Sequence, residues 1–230
     1  MLDYNKNTDW KKFYGVNKNH YHTIYHVENL LKLWEVYKDE FKNEFPKLDE
    51  ESLILAIKWH DSHYIPGDGS NEVKSVYNYI NSVYNYVNKM IETKDVNSTI
   101  FTLFNPLVRL IIESTKIGYD FTKDLPIECK IMHDLDWSGF IDYETFKNNC
   151  EKIYQEVIDF NISPDENFRK NVRKNQINFY RKFAEKPLYM TKTEMKIISV
   201  FVKKYSRSNF ACINHIFLIT RRSACIRFSS

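Results

Sequence analysis

The dipeptide His60-Asp61 sets an imidazole beside a carboxylate. Both share a helix face with Leu53, Ala56, Ile57 and Tyr64 by three- and four-residue spacing. That face is apolar, so the Asp61 carboxylate costs several kcal/mol there unless a cation or several donors satisfy it. A metal ion is one such partner, taking a nitrogen and an oxygen from adjacent side chains at a helix end. Contact of both groups with water at the helix terminus is the other. Upstream, His22 and His26 stand four positions apart, with His20 nearby, a spacing that lets two imidazoles reach one site. Metal binding and plain aromatic-like packing both fit that spacing. Downstream, Asp134 and Asp136 flank Leu135, close to the end of a segment containing Ile127 and Ile131. Residues two apart point opposite ways on a helix, so at most one of them is a direct ligand. The other is solvated or supports a ligand by hydrogen bonding.

Such groups need a rigid frame, and the composition predicts a helical one. With 230 residues, 43% hydrophobic and 16% aromatic, the chain has enough apolar surface to bury a core. Only 5 Gly and 6 Pro punctuate it, too few for the many tight turns of an all-β fold. From His22 onward Tyr25, Leu30, Leu33, Trp34, Tyr37 and Phe41 recur at helical spacing until Pro46. A second helix is predicted from Asp49, as N-cap, to Tyr64, before the break Pro66-Gly67-Asp68-Gly69. Ser70-Asn71-Glu72 opens a third, carrying Val73, Tyr77, Ile80 and Tyr84. Further helices are expected over 106–117, 126–137, 142–160 and 165–183. The 142–160 segment bears the stripe Tyr143, Phe146, Cys150, Ile153, Val157 and Phe160. No strand alternation of useful length appears.

The 33 basic and 30 acidic side chains leave a net charge of +3, too weak a field to require nucleic acid or an anionic membrane as partner. The four cysteines, Cys129, Cys150, Cys212 and Cys225, lack close metal-ligand spacing and read as free thiols in a reducing cytosol. There is no signal-peptide pattern and no apolar run of membrane-spanning length, so the expectation is a cytoplasmic protein. Residues 195–230 stand apart: no Asp or Glu, seven Lys and Arg, and the apolar run Ile216-Phe217-Leu218-Ile219. They read as a basic terminal element, a membrane-surface segment, or a non-native end arising from a frame change or read-through.

Taken together, the three groups resemble the HD superfamily of metal-dependent phosphohydrolases, whose signature is a histidine, a His-Asp doublet and a later aspartate, all on helices. The likeness is closest to its branch of predicted phosphohydrolases of about 200 residues. Tyr21-His22-Thr23-Ile24-Tyr25-His26 resembles that branch's opening, and His60-Asp61-Ser62-His63-Tyr64-Ile65-Pro66 with Asn71-Glu72 its central block. Asp134-Leu135-Asp136-Trp137-Ser138-Gly139 resembles the third block, and Phe168-Arg169-Lys170 through Leu188-Tyr189-Met190-Thr191 its downstream helix and exit. The likeness spans about residues 14–195. Asn19 stands where the branch usually has arginine, no histidine follows Thr115, and no arginine lies near Tyr154.

The resemblance implies an all-α, single-domain HD helical bundle over residues 1–195, with 196–230 as a basic extension. It implies His26, His60, Asp61 and Asp136 as ligands of one divalent transition metal, with Asp134 as the supporting rather than the ligating aspartate. Mixed nitrogen and oxygen donors suit Mn²⁺, Fe²⁺, Co²⁺, Ni²⁺ or Zn²⁺ better than Mg²⁺. The implied activity is hydrolysis of a phosphomonoester or nucleotide by metal-activated water, with Asp61, Glu72 and His22 in the catalytic group. Glu72 is the candidate general acid or water-orienting carboxylate, and His22 the group that hydrogen-bonds a ligand or meets the phosphate. Lys58, Lys74 and Lys116 are the candidate phosphate-neutralising cations. The partner is then a small phosphorylated molecule or nucleotide, and a homo-oligomer is compatible with it. The missing basic groups favour an alternative, an HD-like module that binds metal or nucleotide with little turnover.

Overall fold

A computed structural model describes residues 9–15, 18–92, 105–121, 124–138, 143–160, 166–168, 170–172 and 174. Every regular element among them is helical. A 3-10 turn, Trp10–Tyr14, precedes α1 (Ile24–Glu44), α2 (Glu50–Trp59), α3 (Asn71–Glu92), α4 (Pro106–Ser114), α5 (Ile127–Trp137) and α6 (Tyr143–Phe160). The expected helix over 165–183 falls mostly outside the described residues. So do the proposed extension over 196–230 and the boundary that would separate it.

α2 is the centre of the bundle and packs against α1, α3, α4 and α5. Its sequence explains why: Leu53, Leu55, Ala56, Ile57 and Trp59 are all buried, so apolar groups point to several sides rather than one stripe. Its start is held by polar ties. The Asp49 side chain accepts from the Ser52 N–H at 3.0 Å, as its N-cap position requires. The buried Glu128 of α5 accepts the Asp49 N–H at 2.7 Å, joining the start of α2 to that of α5. Asn105 caps α4 through the Leu107 N–H and also donates to Ser52 Oγ. Around α2, α1 contributes Val27, Leu30 and Trp34, α3 contributes Val76, Tyr79, Val83 and Val87, and α4 contributes Val108, Ile111 and Ile112. Each such burial is worth about 1.5–3 kcal/mol relative to exposure.

Before α1, Trp10 and Tyr14 are buried, in edge contact with each other, and Phe13 packs against Trp59. Two helices stop short of the sequence expectation, and α4, one of them, ends at Ser114 rather than at residue 117. The second helix ends at Trp59 rather than at Tyr64. The His60 N–H still reaches the Ala56 carbonyl at 2.9 Å, but its ring Nδ1–H takes the Ile57 carbonyl, also at 2.9 Å. That side chain thereby satisfies one of the carbonyls a helix leaves open at its end. The chain then turns through 61–70, where Gly67 adopts a φ of 81°. Asn71 closes this loop by pairing with both the N–H and the carbonyl of Ile65.

Cys129 and Cys150 are both buried. Among the described residues no helix is long and apolar enough to cross a membrane.

Candidate metal centre

Three elements bring His26, His60, Asp61 and Asp136 together. His26 lies in the first turn of α1, His60 and Asp61 at the end of α2, and Asp136 in the last turn of α5. One donor atom from each lies within 4.8 Å of every other. His26 Nε2 is 2.9 Å from Asp136 Oδ1 and 3.7 Å from Asp61 Oδ2. His60 Nε2 is 2.9 Å from Asp61 Oδ2 and 3.5 Å from Asp136 Oδ1. The two histidines are buried, and the carboxylates keep partial exposure.

The donor set could hold a metal ion. His60 donates its Nδ1–H to the Ile57 carbonyl, so the Nε2 lone pair is turned into the cluster, the arrangement usual for a ligating imidazole. His60 Nε2 and Asp61 Oδ2 are buried and close, yet neither has a hydrogen-bond partner of acceptable geometry. Buried polar atoms are rarely left so, and a cation between them satisfies both.

Electrostatics bind the four groups to one another. Burial opposes charging the His60 ring, but the Asp61 and Asp136 carboxylates outweigh it and raise its pKa well above the ordinary value. Burial likewise pushes the Asp136 carboxyl up, and the His26 and His60 rings beside it more than reverse that, leaving it far below the usual range. Asp61 is lowered for the same reason, with His60 and then His22 as the main opposing charges.

Asp134 is fully buried and stands outside this group, with Oδ1 3.0 Å from His133 Nδ1. His22 also stands outside the four. Its ring stacks on Tyr64 with centroids 3.3 Å apart, and its Nδ1 lies 2.7 Å from Glu156 Oε2. Burial works against its charge, while Asp61 and Glu156 outweigh burial and raise its pKa. Glu72 sits in the first turn of α3, where burial raises its pKa against the pull of Lys116, with Asp61 adding to the rise.

The three lysines are placed differently. Lys74 is paired with Asp68 at 2.7 Å, and Lys116 donates to the Gly69 carbonyl at 2.9 Å, across the loop from Glu72. The backbone carbonyl of Lys58 accepts from the Tyr14 hydroxyl at 2.9 Å.

Sequence reasoning gives no role to two residues that organise the centre. Tyr14 is buried beneath the end of α2, where burial and the nearby Asp61 carboxylate hold its hydroxyl in the neutral form. Glu156 of α6 is fully buried and accepts from the backbone N–H groups of His20, Tyr21 and His22 as well as from the His22 ring. The available signal for Glu156 is its place beside Ile153 and Val157, a carboxylate on an apolar stripe. For Tyr14 there is no local signal, since its partners lie 44 and more positions away.

No protein-family model, curated protein or solved structure matches the chain.

Proposed function

We propose that this chain is a metal-dependent phosphohydrolase of the HD type, hydrolysing a phosphomonoester or a nucleotide phosphate. The observation that carries this reading is the convergence of His26, His60, Asp61 and Asp136, in that chain order, from three helices onto one point. Mn²⁺, Fe²⁺, Co²⁺, Ni²⁺ and Zn²⁺ all suit the donor set. When bound, such an ion would polarise a phosphoryl oxygen and lower the pKa of water at the site.

The chain's own residues divide the remaining work. Glu72, whose proton affinity is raised by burial, is suited to give or take a proton beside the centre. The Lys116 ammonium, held on the Gly69 carbonyl, opposes the rise in the proton affinity of Glu72. His22 faces the centre from the Tyr64 side, as a group able to hydrogen-bond the substrate. The Tyr14 hydroxyl, by holding the Lys58 carbonyl, keeps the end of α2 and with it His60 and Asp61 in place.

A screen of phosphomonoesters and nucleotides with Mn²⁺, Ni²⁺ or Co²⁺ added tests the proposal. Phosphate release from at least one class, abolished in Asp61→Ala, is expected. Full turnover by Asp61→Ala contradicts it.

One observation favours a second reading, a metal- or nucleotide-binding module with little turnover. Lys74 is already engaged by Asp68 and Lys116 by Gly69, and Asn19 supplies no charge, so cations free for phosphate are scarce among these candidates. Saturable binding of a nucleotide without phosphate release would favour that module.

A further inference from the structure

The turn that leads into α1 is held by one side chain from the far end of α6. Glu156 Oε1 accepts the N–H groups of His20, Tyr21 and His22 at 2.8, 2.6 and 2.8 Å. Its other oxygen, Oε2, lies 2.7 Å from His22 Nδ1. A second tie joins the same two segments, His20 Nε2 to Asp159 at 2.7 Å. Glu156 is fully buried, and its carboxyl is kept in the ionised form by these donors against the effect of burial.

An ionised carboxylate only accepts hydrogen bonds, so His22 Nδ1 must carry a proton and donate it. Stacking on Tyr64 at 3.3 Å, with 17° between planes, fixes the plane of the ring, and the bond from Nδ1 fixes which edge faces Glu156. With Nδ1 committed to Glu156, Nε2 is the ring atom left to act toward the centre, whose His26 ring lies 6.3 Å from that of His22.

We infer that Glu156 is a positioning residue for the phosphohydrolase site: it fixes His22 with the proton on Nδ1 and presents Nε2 to the bound substrate. The inference rests on the proposed phosphohydrolase activity for its functional half. Its structural half, the choice of ring nitrogen, stands on the hydrogen bonds alone.

Glu156→Gln tests it with little change of shape. Three backbone donors require an oxygen at the Oε1 position, so the amide oxygen must stay there and its NH₂ must face His22. An NH₂ group donates, so Nδ1 must then accept and the ring proton moves to Nε2. The variant therefore preserves the clamp on the turn while exchanging the two ring nitrogens. His22→Ala removes the ring and leaves the clamp itself untouched.

The experiment compares the full-length wild type, Glu156→Gln, His22→Ala and the double variant, loaded with Mn²⁺ or, for NMR, Zn²⁺. The expected result is about the same metal content in all four. Ring-nitrogen NMR should place the His22 proton on Nδ1 in wild type and on Nε2 in Glu156→Gln. Turnover should fall about 10- to 100-fold in each single variant, the usual loss when the partner that orients a functional histidine is removed. KM should move less than kcat, and the double variant should match His22→Ala, as expected for residues acting as one unit. An unchanged ring proton in folded Glu156→Gln would overturn the inference. So would full kcat in either single variant, or loss of metal together with kcat in Glu156→Gln. If Glu156→Gln does not fold, His22→Ala decides by its kcat. If wild type releases phosphate from no substrate, the phosphohydrolase reading fails, and the ring-proton comparison alone decides what Glu156 does.

Discussion

His26 and Asp136, 110 positions apart, meet at 2.9 Å between Nε2 and Oδ1. Nothing local to either residue encodes that contact. It exists because α1 and α5 both pack on α2, which ends in His60 and Asp61 at the same level. The site is thus a consequence of the core: the buried α2 sets where its last residues lie, and α1 and α5 deliver the remaining donors to that end.

The two aspartates of α5 should separate cleanly by mutation. Asp136→Asn removes a donor from the group of four and should lose metal. Asp134→Asn, at a fully buried position beside His133, should keep the metal while costing about 1–3 kcal/mol of stability. Metal content and thermal melts of both variants check this, and metal loss in Asp134→Asn with retention in Asp136→Asn would reverse the assignment.

Much of this is legible in the sequence. The helical spacing of His22 and His26, the buried-face position of His60-Asp61 and the two-residue separation of Asp134 and Asp136 were visible as patterns. What spacing could not decide was which aspartate meets the histidines. Burial alone would have pointed to Asp134, the more buried of the two, yet Asp136 is the one that converges. The early end of α2 was hidden because it depends on a side chain, the His60 ring, capturing a backbone carbonyl. Glu156 was hidden because its partners lie about 135 positions upstream and are mainly backbone N–H groups, which carry no residue signature.

Tyr14→Phe should loosen the centre from beneath. It deletes the hydroxyl that donates to the Lys58 carbonyl, a net loss of about 1 kcal/mol, or about 2–4 °C in Tm. Because the bond supports the end of α2, metal affinity should fall as well, by up to about tenfold. A chelator competition titration measures this, and affinity equal to wild type would show that Tyr14 acts on stability alone.

Alkaline pH should find two buried groups reluctant to ionise. Burial pushes the Cys129 thiol up to about 11 and the Tyr79 hydroxyl up to about 12. Both pKa values are raised in the fold, so their contribution to stability is full below the unfolded values and declines as pH rises through the folded ones. Stability should therefore fall from about pH 9 upward, and less steeply in Tyr79→Phe. At pH 8 the buried Cys129 thiol stays protonated, so native protein should resist alkylation there and react after unfolding. Rapid alkylation of Cys129 in the native state would contradict this placement.

Metal removal should be visible in the melt. An ion at 100 times its Kd stabilises by about 2.7 kcal/mol, so a chelator should lower Tm by about 5–10 °C. Asp61→Ala should melt identically with and without chelator. Superimposable wild-type melts would argue that the centre holds no ion in solution.

The most direct test is elemental analysis of purified wild type beside Asp61→Ala. About one divalent transition metal per wild-type chain, lost in the variant, is the predicted result. No metal in either protein, even after reconstitution with Mn²⁺, Ni²⁺ and Co²⁺, would contradict the metal centre and with it the proposed hydrolase.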